Sequence, residues 1–321
     1  MASVCALVLT YNRPELADVC LTALMGQTRP CDRIIVLDNA STEEALSALR
    51  ARWADRVAIH SLPRNVGAAG GYAAGMHLAY LTGADFVFTL DDDVELAPDA
   101  VANLLEAEAF LAAEKIPAPF LVAVSHTTAP NVFDLPDIAL DAPWPRFLDK
   151  GLLPLRRSPI NAMLFPRSTI ARYGLPLADM FIWGEDTEYT MRISRDAPGF
   201  LVGAAKQLHH RVVAGKLDIR TETNPARVRY HRYQKRNLIY VMRKNARRIA
   251  LLRQVMREAG IVLQLCGRGR FDRAWIAARG VVEGFFFSPR PQAADAPFDF
   301  AGVRTFGPDA RVSPAPHITS V

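Results

Sequence analysis

The sequence predicts an α/β fold in which helices cover both faces of a mostly parallel, doubly wound sheet. Over the first hundred residues, apolar runs alternate with longer segments of helical character. The runs at 4–10, 33–38 and 86–90 are almost continuously apolar, which is typical of parallel strands buried on both faces. Alternating strands and helices indicate right-handed crossovers within one sheet. The chain has 321 residues, 50% of them hydrophobic, which is enough for a sizeable core.

Four strands and three helices are predicted in this first part of the chain. The strands are 4–10, 33–38, 57–62 and 86–90, and the helices between them are 14–25, 42–53 and 70–81. Pro14 suits the first helical position, where a backbone N–H is not needed. Sheets of this kind bind ligands at the carboxyl ends of their strands. We therefore expect Asp38, Asp91, Asp92 and Asp93 at the ligand edge.

The later part of the chain divides into three regions. The α/β domain is predicted to continue to residue 225, with a strand near 158–167 and a short helix at 168–173. It includes a proline-rich connection at about 127–160, which lacks the pattern of any regular element and carries Trp144, as lids and binding loops often do. Residues 226–287 are predicted to be helical and basic. Residues 288–321, rich in Pro and Ala, are predicted to be a disordered tail.

The composition indicates a cytoplasmic protein. No stretch of about 18 uninterrupted apolar residues is present, so no membrane-spanning helix is predicted. The N-terminus lacks the basic and long apolar regions of a signal peptide and is predicted to be a strand. The four cysteines have no C-x-x-C spacing, and we expect them to be reduced and not bound to zinc.

Positive charge is concentrated in the C-terminal third. The formal net charge is +5, but residues 226–290 contain sixteen Lys plus Arg and three Asp plus Glu, a net charge of +13, which leaves −8 for the rest. Such a distribution predicts an anionic partner. The arginines are interleaved with aliphatic residues, which favours an anionic membrane surface; a solvated helical hairpin or an oligomer interface are the alternatives. Nucleic acid is not expected, because the region lacks an aromatic stacking platform.

Three aspartates, Asp91, Asp92 and Asp93, follow the apolar run at 86–90. Residues i and i+2 of an extended backbone point to the same side, so Asp91 and Asp93 can converge on one cation. Mg²⁺ and Mn²⁺ prefer carboxylates together with substrate phosphate oxygens. A solvated acidic turn is the alternative, but the position after a buried strand favours a metal site.

A turn of small residues runs from Arg64 to Tyr72, R-N-V-G-A-A-G-G-Y. Small residues let a ligand approach the backbone, and the N–H groups of a following helix can bind phosphate or sugar oxygens. The turn is neither a dinucleotide fingerprint nor a P-loop, since it lacks both patterns. An ordinary strand–helix turn is the alternative.

The segment Trp183, Gly184, Glu185 and Asp186 opens a predicted helix. One of its two acids could act as a general base, with aromatic neighbours forming a wall for a sugar ring. The alternative is a helix N-terminus, where acidic residues are favoured. Both can hold for different members of the pair.

His209 and His210 lie in a predicted extended segment. Adjacent residues of a strand point in opposite directions, so at most one of the two could serve as a nitrogen ligand of the same metal. A surface histidine pair is the alternative.

In this order, the motifs resemble those of the family-2 glycosyltransferases with the GT-A fold. The resemblance covers residues 3–245 and consists of T-Y-N-R-P, V-L-D-N-A-S-T, R-N-V-G, L-D-D-D, W-G-E-D, the two histidines and the basic run at 230–244. Within the family, N-V-G-A-A-G-G-Y-A-A-G-M with a following G-A-D is similar to bacterial galactofuranosyltransferases, with rhamnosyltransferases as the alternative. Ala68 stands where Gly is common.

The resemblance implies roles for individual residues. The donor-binding residues would be Thr10, Asn12, Arg13, Asp38, Arg64, Asn65, Gly70, Gly71 and Asp92. The ligands of Mn²⁺ or Mg²⁺ would be Asp91, Asp93 and His210, with His209 as the alternative nitrogen. The catalytic base would be Asp186, with Glu185 as its rival. The residues that border the acceptor would be Trp183 and Trp144.

The resemblance also implies a function and an organisation. Residues 1–225 would be a GT-A catalytic domain, with a nucleotide-sugar half at 1–100 and an acceptor half at 101–225. The enzyme would be an inverting, metal-dependent and non-processive glycosyltransferase. It would move galactofuranose from UDP-galactofuranose to a cell-surface glycan or lipid-linked acceptor; rhamnose from dTDP-rhamnose is the alternative. A peripheral place on the inner face of the plasma membrane would follow, and an oligomer is possible. The alternative of another class is a nucleotide-sugar- or membrane-binding protein without catalysis.

Overall fold

The protein is built around one mixed sheet. The computed structural model describes residues 2–127, 136–210 and 217–308. Its strands are β1 (Val4–Thr10), β2 (Arg33–Asp38), β3 (Ala58–Ser61), β4 (Phe86–Asp91), β5 (Val94–Leu96), β6 (Leu121–Thr127), β7 (Asp137–Ile138), β8 (Leu152–Arg157), β9 (Met163–Pro166), β10 (Gly199–His209) and β11 (Arg304–Phe306). Its helices are α1 (Pro14–Met25), α2 (Glu43–Trp53), α3 (Gly67–Leu81), α4 (Ala100–Ala113), α5 (Pro145–Leu148), α6 (Arg167–Tyr173), α7 (Glu185–Ile193), α8 (Pro225–Asn245), α9 (Arg248–Gly267) and α10 (Phe271–Phe286). A short 3₁₀ helix spans Ala178–Met180.

The strand order is β11-β3-β2-β1-β4-β9-β6-β10-β8-β7, and β5 pairs with β10 beside this path. β1 runs parallel to β2 and to β4, and β2 runs parallel to β3. β9 is antiparallel to both β4 and β6, whereas β6 and β10 are parallel. The predicted α/β fold with a largely parallel sheet is confirmed, and the later part of the chain adds antiparallel strands to it.

Alternate residues of β1 face the two sides of the sheet. Ala6 and Val8 belong to a core that also includes residues of α1, α2 and α4. Leu7 and Leu9 belong to a second core, to which α3 contributes. All four are at most 7% exposed. Both faces of β1 are covered, which explains why its sequence is continuously apolar.

Helix α3 begins at Gly67, three residues before its predicted start. A Cβ atom on Gly71 would lie 2.6 Å from Leu9 Cδ1, so this glycine lets the helix approach β1 closely. Gly67 has a φ of +75°, and a Cβ atom there would lie 2.1 Å from the carbonyl oxygen of Phe181. The small-residue turn therefore allows two close packing contacts, one between α3 and β1 and one between the N-terminus of α3 and Phe181.

The residues predicted to form a basic helical region are α8, α9 and α10. A Cβ atom on Gly284 of α10 would lie 2.6 Å from Ile239 Cβ of α8, so these two helices pack closely. Lys235 Nζ of α8 lies 2.9 Å from Glu258 Oε2 of α9, and both side chains are buried. A buried ion pair of this kind ties α9 to α8, since leaving either charge alone would be costly. In the described part of the chain, no helix is both long and apolar enough to cross a bilayer.

The proline-rich connection was predicted to lack regular structure, and this is wrong for part of it. Residues 128–135 lie outside the described residues, but β7, α5 and β8 follow them. Pro154 lies within β8, where its carbonyl accepts a hydrogen bond from the N–H of Ala139 at 2.8 Å. A proline lacks only the N–H, so its carbonyl can still take part in pairing at this place.

The prediction of a disordered tail is wrong for residues 288–308. Ala294 is 2% exposed, and its carbonyl lies 2.9 Å from Nδ1 of the buried His77. Phe298 and Phe300 pack against the His77 ring, with centroids 5.4 and 5.7 Å away. β11 then pairs with the edge strand β3. The segment is ordered despite its Pro and Ala content because its apolar side chains pack against the core. The rest of the predicted tail, 309–321, lies outside the described residues.

Candidate active site

The acidic triplet lies where β4 ends and the chain turns into β5. In the parallel pairing of β1 with β4, Asp91 is the partner of Leu9. The triplet therefore lies at the carboxyl ends of β1 and β4, at the predicted ligand edge. Asp91 is partly buried, and Asp92 and Asp93 are 5% and 9% exposed.

Three donors, from the end of β1 and the turn after it, hold Asp92 and Asp93 in place. Thr10 Oγ1 donates to Asp92 Oδ2 at 2.9 Å, and the N–H of Tyr11 donates to the same oxygen at 3.4 Å. Arg13 Nη1 lies 3.3 Å from Asp92 Oδ1 and 3.2 Å from Asp93 Oδ2. The end of β1 and the turn after it thus supply a hydroxyl, an amide and a guanidinium, which offset the mutual repulsion of the carboxylates.

Asp91 is held by a residue that the sequence analysis did not single out for chemistry. The hydroxyl of Tyr72, on α3, donates to Asp91 Oδ1 at 2.5 Å. Burial, together with the charge of Asp93, raises the pKa of Asp91 to about 7. Burial also raises the pKa of Asp92 to about 6, although Arg13 opposes this rise. The cluster is therefore a place where added positive charge is favourable.

The residues of this cluster fit a hard divalent cation. The imidazole Nε2 of His209 lies 3.2 Å from Asp93 Oδ1, and His209 lines the same cavity as Asp91. Oxygen ligands and an imidazole suit Mn²⁺, and Mg²⁺ is usually held by one or two carboxylates plus substrate phosphates. Among the described residues, no three His, Cys, Asp or Glu side chains already form a metal cage. A cation would thus depend on oxygens from a bound ligand.

The two histidines face different carboxylates. His209 is the last residue of β10 and faces Asp93, whereas His210 Nε2 lies 2.8 Å from Glu95 Oε2. The two rings point apart because adjacent residues of an extended chain face opposite sides. His209, the alternative ligand, is the histidine that reaches the triplet.

The two acids of the Trp183 segment occupy different surroundings. Helix α7 begins at Glu185, after Gly184 with a φ of +109°. Glu185 is 8% exposed, and burial together with the charge of Asp186 raises its pKa to about 8. Asp186 is more exposed and lines a cavity together with Asp91. Of the two acids, Asp186 is therefore the one that a ligand in the cavity can reach.

Asn237 organises the segment that leads to Asp186. Its side chain is fully buried on α8, and its Nδ2 group lies within 3.1 Å of the carbonyl oxygens of Met180, Ile182 and Trp183. The segment is strained, since Phe181 and Trp183 have positive φ values of 63° and 62°. The predicted acceptor residue Trp183 packs its ring on α8. The basic run at 230–244 contains Asn237, but the composition of the run alone did not distinguish it.

A cavity of about 240 Å³ adjoins the triplet on the side of β1. Five of the predicted donor or metal residues line it: Thr10, Arg13, Asn65, Asp91 and Asp92. Asn39, which was not predicted, also lines it, and its side chain bridges the carbonyl of Gly67 and the N–H of Val66, both at 3.0 Å. A chain of polar residues therefore runs along this side of the triplet.

The other predicted donor residues do not line this cavity. The carboxylate of Asp38 is buried and accepts hydrogen bonds from Ser61 Oγ at 2.7 Å and from the N–H of Ser41 at 3.2 Å. Asn12 Oδ1 accepts a hydrogen bond from the N–H of Thr42. Both support the local backbone instead. The remaining three are Arg64, which is exposed, and Gly70 and Gly71, which are buried in α3. Their contact with a donor stays a prediction.

Trp144 lies apart from the residues that line the two cavities. It precedes α5, whose Phe147 packs on Phe200 near the start of β10, with ring centroids 5.1 Å apart. His209 lies at the other end of that strand. The structure therefore gives no support to an acceptor contact of Trp144, because α5 packs near the start of β10, at the opposite end from His209.

A second cavity, of about 320 Å³, adjoins Asp91 from the side of β6 and β10. Asp186 and His209 both line it. Asp91 is the one described residue that both cavities share. The arrangement can thus hold two ligands, one on each side of the carboxylate cluster, with Asp186 beside the second.

Sequence similarity to known proteins covers the first third of the chain in one comparison and more than half of it in another. The pattern of the family described as "Glycosyl transferase family 2" matches residues 5–109. Galactofuranosyltransferase GlfT1 of Mycolicibacterium smegmatis is 29% identical over 207 residues, which are 61% of this chain and 67% of that protein. GlfT1 of Mycobacterium tuberculosis is 34% identical over 209 residues, which are 62% of this chain and 66% of that protein. The chain spans about two thirds of the length of these relatives.

Solved structures share the fold at low sequence identity. GalNAc-T7, solved with UDP, GalNAc and Mn²⁺, matches with a TM-score of 0.57 and 14% identity, over 76% of this chain and 48% of that chain. Residues 1–349 of TarS from S. aureus match with a TM-score of 0.51 and 12% identity, over 88% and 91% of the two chains. The motifs, the sheet and these similarities agree: the chain carries a glycosyl transferase family 2 domain, matched over residues 5–109, and has the GT-A fold.

Proposed function

We propose that this protein is an inverting, metal-dependent, non-processive glycosyltransferase that moves galactofuranose from UDP-galactofuranose to a hydroxyl of a glycan or lipid-linked acceptor. The observation that carries the proposal is the position of Asp91, which lines both cavities. A nucleotide-sugar in the first cavity and an acceptor in the second would meet at this carboxylate, next to Asp186. Bringing two substrates together in this way is a large part of what a transferase must do.

The choice of donor rests on similarity. The relatives at 29% and 34% identity are named galactofuranosyltransferases, and the turn at 65–76 resembles the galactofuranosyl type. dTDP-rhamnose is the alternative, because the same motifs resemble those of rhamnosyltransferases. Both donors carry a pyrimidine nucleotide and a diphosphate, so Arg13 and Asn65 would serve either one.

A divalent cation, Mn²⁺ or Mg²⁺, would stabilise the negative charge that develops on the departing diphosphate. Asp91 and Asp93 would hold it, with the imidazole of His209 beside them. Thr10 would keep Asp92 in position through its 2.9 Å hydrogen bond, and Arg13 would place a second positive charge on the nucleotide side. This part of the chain would thus bind and orient the donor.

Asp186 would act as the general base. It would accept the proton of the acceptor hydroxyl while that oxygen attacks the anomeric carbon from the face opposite the diphosphate. A single displacement of this kind inverts the anomeric configuration. General-base assistance accounts for a factor of roughly 10²–10⁴ in rate. The backbone that carries Asp186 would be kept in place by Asn237.

The test is a transfer assay with UDP-galactofuranose, MnCl₂ and octyl β-galactofuranoside, with dTDP-rhamnose run in parallel. NMR of the product would give the configuration of the new bond. Transfer that is inverted and abolished by EDTA would support the proposal, whereas a retained configuration would rule out the single displacement. Transfer from dTDP-rhamnose but not from UDP-galactofuranose would mean that dTDP-rhamnose is the donor. Binding of UDP without transfer to any acceptor would favour the non-catalytic alternative.

We also propose that α9 and α10 bring the enzyme to an anionic membrane surface, where lipid-linked acceptors lie. Large apolar side chains at least 58% exposed stand on these helices: Ile249, Leu252, Met256, Leu263, Phe271, Trp275, Val282 and Phe286. Exposed arginines stand among them, and the one acid of α9, Glu258, is buried against Lys235. Exposed apolar side chains next to cationic ones are what a helix needs to lie on anionic lipid.

A further inference from the structure

The second cavity contains polar side chains for which the mechanism above has no use, among them Ser125, Asn161 and Gln207. Ser125 and Gln207 come from β6 and β10, and Asn161 comes from the loop before β9. Asn161 and Gln207 are 6% and 3% exposed. The cavity volume of about 320 Å³ lies within the range of roughly 300–1,000 Å³ that is usual for small-molecule sites.

Three polar atoms in this cavity are buried without a partner in the part of the chain that the structure describes. They are Ser125 Oγ, Asn161 Oδ1 and Gln207 Oε1. The amide nitrogen of Gln207 lies 3.4 Å from the carbonyl oxygen of Asn161, so the two residues are neighbours and the acceptor atoms remain available. A buried oxygen without a donor is costly, and proteins rarely keep several of them together for structural reasons.

The loop that carries Asn161 is held in register with the acidic cluster. Ala162 has a positive φ of 47°, which is uncommon for a residue other than glycine. The Tyr72 hydroxyl that bonds Asp91 at 2.5 Å also lies 3.2 Å from the carbonyl oxygen of Ile160. Strain of this kind persists where the surroundings over-determine a conformation, often at binding sites. The position of Asn161 is thus set relative to Asp91.

We propose that Ser125, Asn161 and Gln207 form a recognition subsite for the hydroxyl groups of a sugar ring on the acceptor. The inference rests on the proposed function, since it names which substrate occupies the second cavity. Amide oxygens accept hydrogen bonds from hydroxyls, and a serine hydroxyl can accept or donate. Val122 and Leu201 line the same cavity and offer apolar surface to the C–H face of a ring.

The acceptor is favoured over the donor by the place of Asp186. It lines the second cavity, so the hydroxyl that it would deprotonate belongs to the molecule bound there. The donor's nucleotide is expected in the first cavity, with Thr10 and Arg13. The sugar ring of the donor has the same hydroxyl chemistry, however, and the experiment has to separate the two sources.

The variants are Gln207→Met, Asn161→Leu and the milder Ser125→Ala. The matched control is Gln27→Met, because Gln27 is also buried but has three hydrogen-bond partners in the carbonyls of Ala23 and Ala97 and the N–H of Val101. We expect Gln207→Met to keep or raise the melting temperature, since it removes an oxygen without a partner, and Gln27→Met to lower it. Melting curves and the Kd of UDP with Mn²⁺ verify that each variant is folded.

Steady-state kinetics with UDP-galactofuranose and octyl β-galactofuranoside give the main result. We expect the KM of the acceptor to rise about 10-fold in Gln207→Met and in Asn161→Leu, as for one lost hydrogen bond to a hydroxyl, with the KM of the donor unchanged. The acceptor KM of Gln27→Met should equal that of the wild type. A rise in the donor KM instead would mean that the cavity holds the donor sugar, and unchanged constants for both substrates would also overturn the proposal.

A binding measurement separates this proposal from the proposed function. Saturation-transfer NMR with methyl β-galactofuranoside, in the presence of UDP and Mn²⁺, needs no turnover. Binding to the wild type that is lost in Gln207→Met would support the subsite even if no transfer were found, and the proposed function alone would then fail. Transfer by the wild type with equal glycoside binding in all variants would leave the proposed function intact and overturn the subsite.

Discussion

Arg13 Nη1 lies 3.2 Å from Asp93 Oδ2, so a guanidinium from the turn after β1 reaches into the acidic cluster at the end of β4. The same nitrogen lies 3.3 Å from Asp92 Oδ1. One cation of the chain thus offsets two of three neighbouring carboxylates. Since the Arg13 side chain is also 45% exposed, it can contact a nucleotide in the adjacent cavity as well.

We expect Arg13→Met to weaken the binding of UDP by about tenfold or more, because a charge-assisted contact to phosphate is lost. The melting temperature in EDTA should fall as well, because the buried carboxylates of Asp92 and Asp93 lose the cation that offsets their repulsion. Isothermal titration calorimetry and thermal melts check both effects. Arg56→Met is the matched control, because Arg56 forms a surface pair with Asp55. Unchanged affinity for UDP in Arg13→Met would contradict a role for Arg13 on the donor.

The two acids at the start of α7 should respond differently to removal of their charge. Asp186→Asn should lower kcat by roughly 10²–10⁴-fold while UDP still binds, since a base is lost but the donor site is not. Burial raises the pKa of Glu185 to about 8, so this residue is largely protonated at pH 7 and Glu185→Gln mimics its neutral form. We therefore expect Glu185→Gln to retain most of its activity. The measurement is kcat of both variants. A larger loss of kcat in Glu185→Gln than in Asp186→Asn would refute Asp186 as the base.

Binding of Mn²⁺ should be strongly dependent on pH. Because the pKa of Asp91 is raised from 3.8 to about 7, the folded protein binds more protons than the unfolded chain between these values. Without metal, this group's contribution to the free energy of unfolding is therefore present below pH 3.8 and is lost as the pH rises through 7. Mn²⁺ competes with those protons, so it should raise the melting temperature more at pH 8 than at pH 5.5.

Thermal melts with Mn²⁺ and with EDTA across this pH range provide the measurement. Asp91→Asn is the matched variant, since it keeps the shape of the side chain and removes its titration. We expect it to abolish most of the stabilisation by Mn²⁺ at pH 8. An equal effect of Mn²⁺ at both pH values in the wild type would speak against binding at the triplet.

Asn237→Leu should lower both stability and activity. The substitution removes the amide donor of the Ile182 and Trp183 carbonyls in the strained segment at 180–183, at a cost of about 1–3 kcal/mol. The Met180 carbonyl keeps the N–H of Ile182 and the guanidinium of Arg236 as donors. It should also lower kcat, because the same segment leads to Asp186. Asn245→Leu is the control, since Asn245 is exposed and its side-chain amide donates to the carbonyl of Val241 in the same helix. If Asn237→Leu had the kcat and melting temperature of the wild type, the positioning role would be wrong.

The exposed face of α9 and α10 should bind anionic vesicles. Flotation with phosphatidylglycerol-containing liposomes should recover the protein, whereas pure phosphatidylcholine should not, because the arginines need an anionic surface. Replacing Leu252, Met256 and Trp275 with Gln should reduce recovery while the melting temperature stays near that of the wild type, since these side chains are exposed. Added salt should weaken the interaction. Binding to neither type of vesicle would leave the helices with only a packing role.

The motifs of the first hundred residues allowed the fold and much of the site to be predicted. Parallel strands buried on both faces have continuously apolar sequences, so β1, β2 and β4 were recognisable from local pattern alone. The place of Asp91, Asp92 and Asp93 then followed from the rule that ligands bind at the carboxyl ends of such strands. These inferences need only the chain direction of each strand and the residue that follows it.

The contacts of the site were harder to predict, because they join residues far apart in the chain. Tyr72 and Asp91 are separated by 19 residues, and Asn237 lies 54 residues beyond Trp183. No local pattern marks such partners. The tail shows the same limit, since its Pro and Ala content predicted disorder while Phe298 and Phe300 pack on His77.

Local sequence was enough to predict the fold class, the family resemblance and the acidic cluster at the sheet edge, because each apolar run and each motif occupies a short stretch of the chain. Tertiary structure alone decided that His209 and not His210 faces Asp93, and that Asp186 and not Glu185 reaches the cavity. Each choice lies between adjacent residues of the same chemical type. Only the direction in which the backbone presents each side chain, and the burial that results, separates their roles.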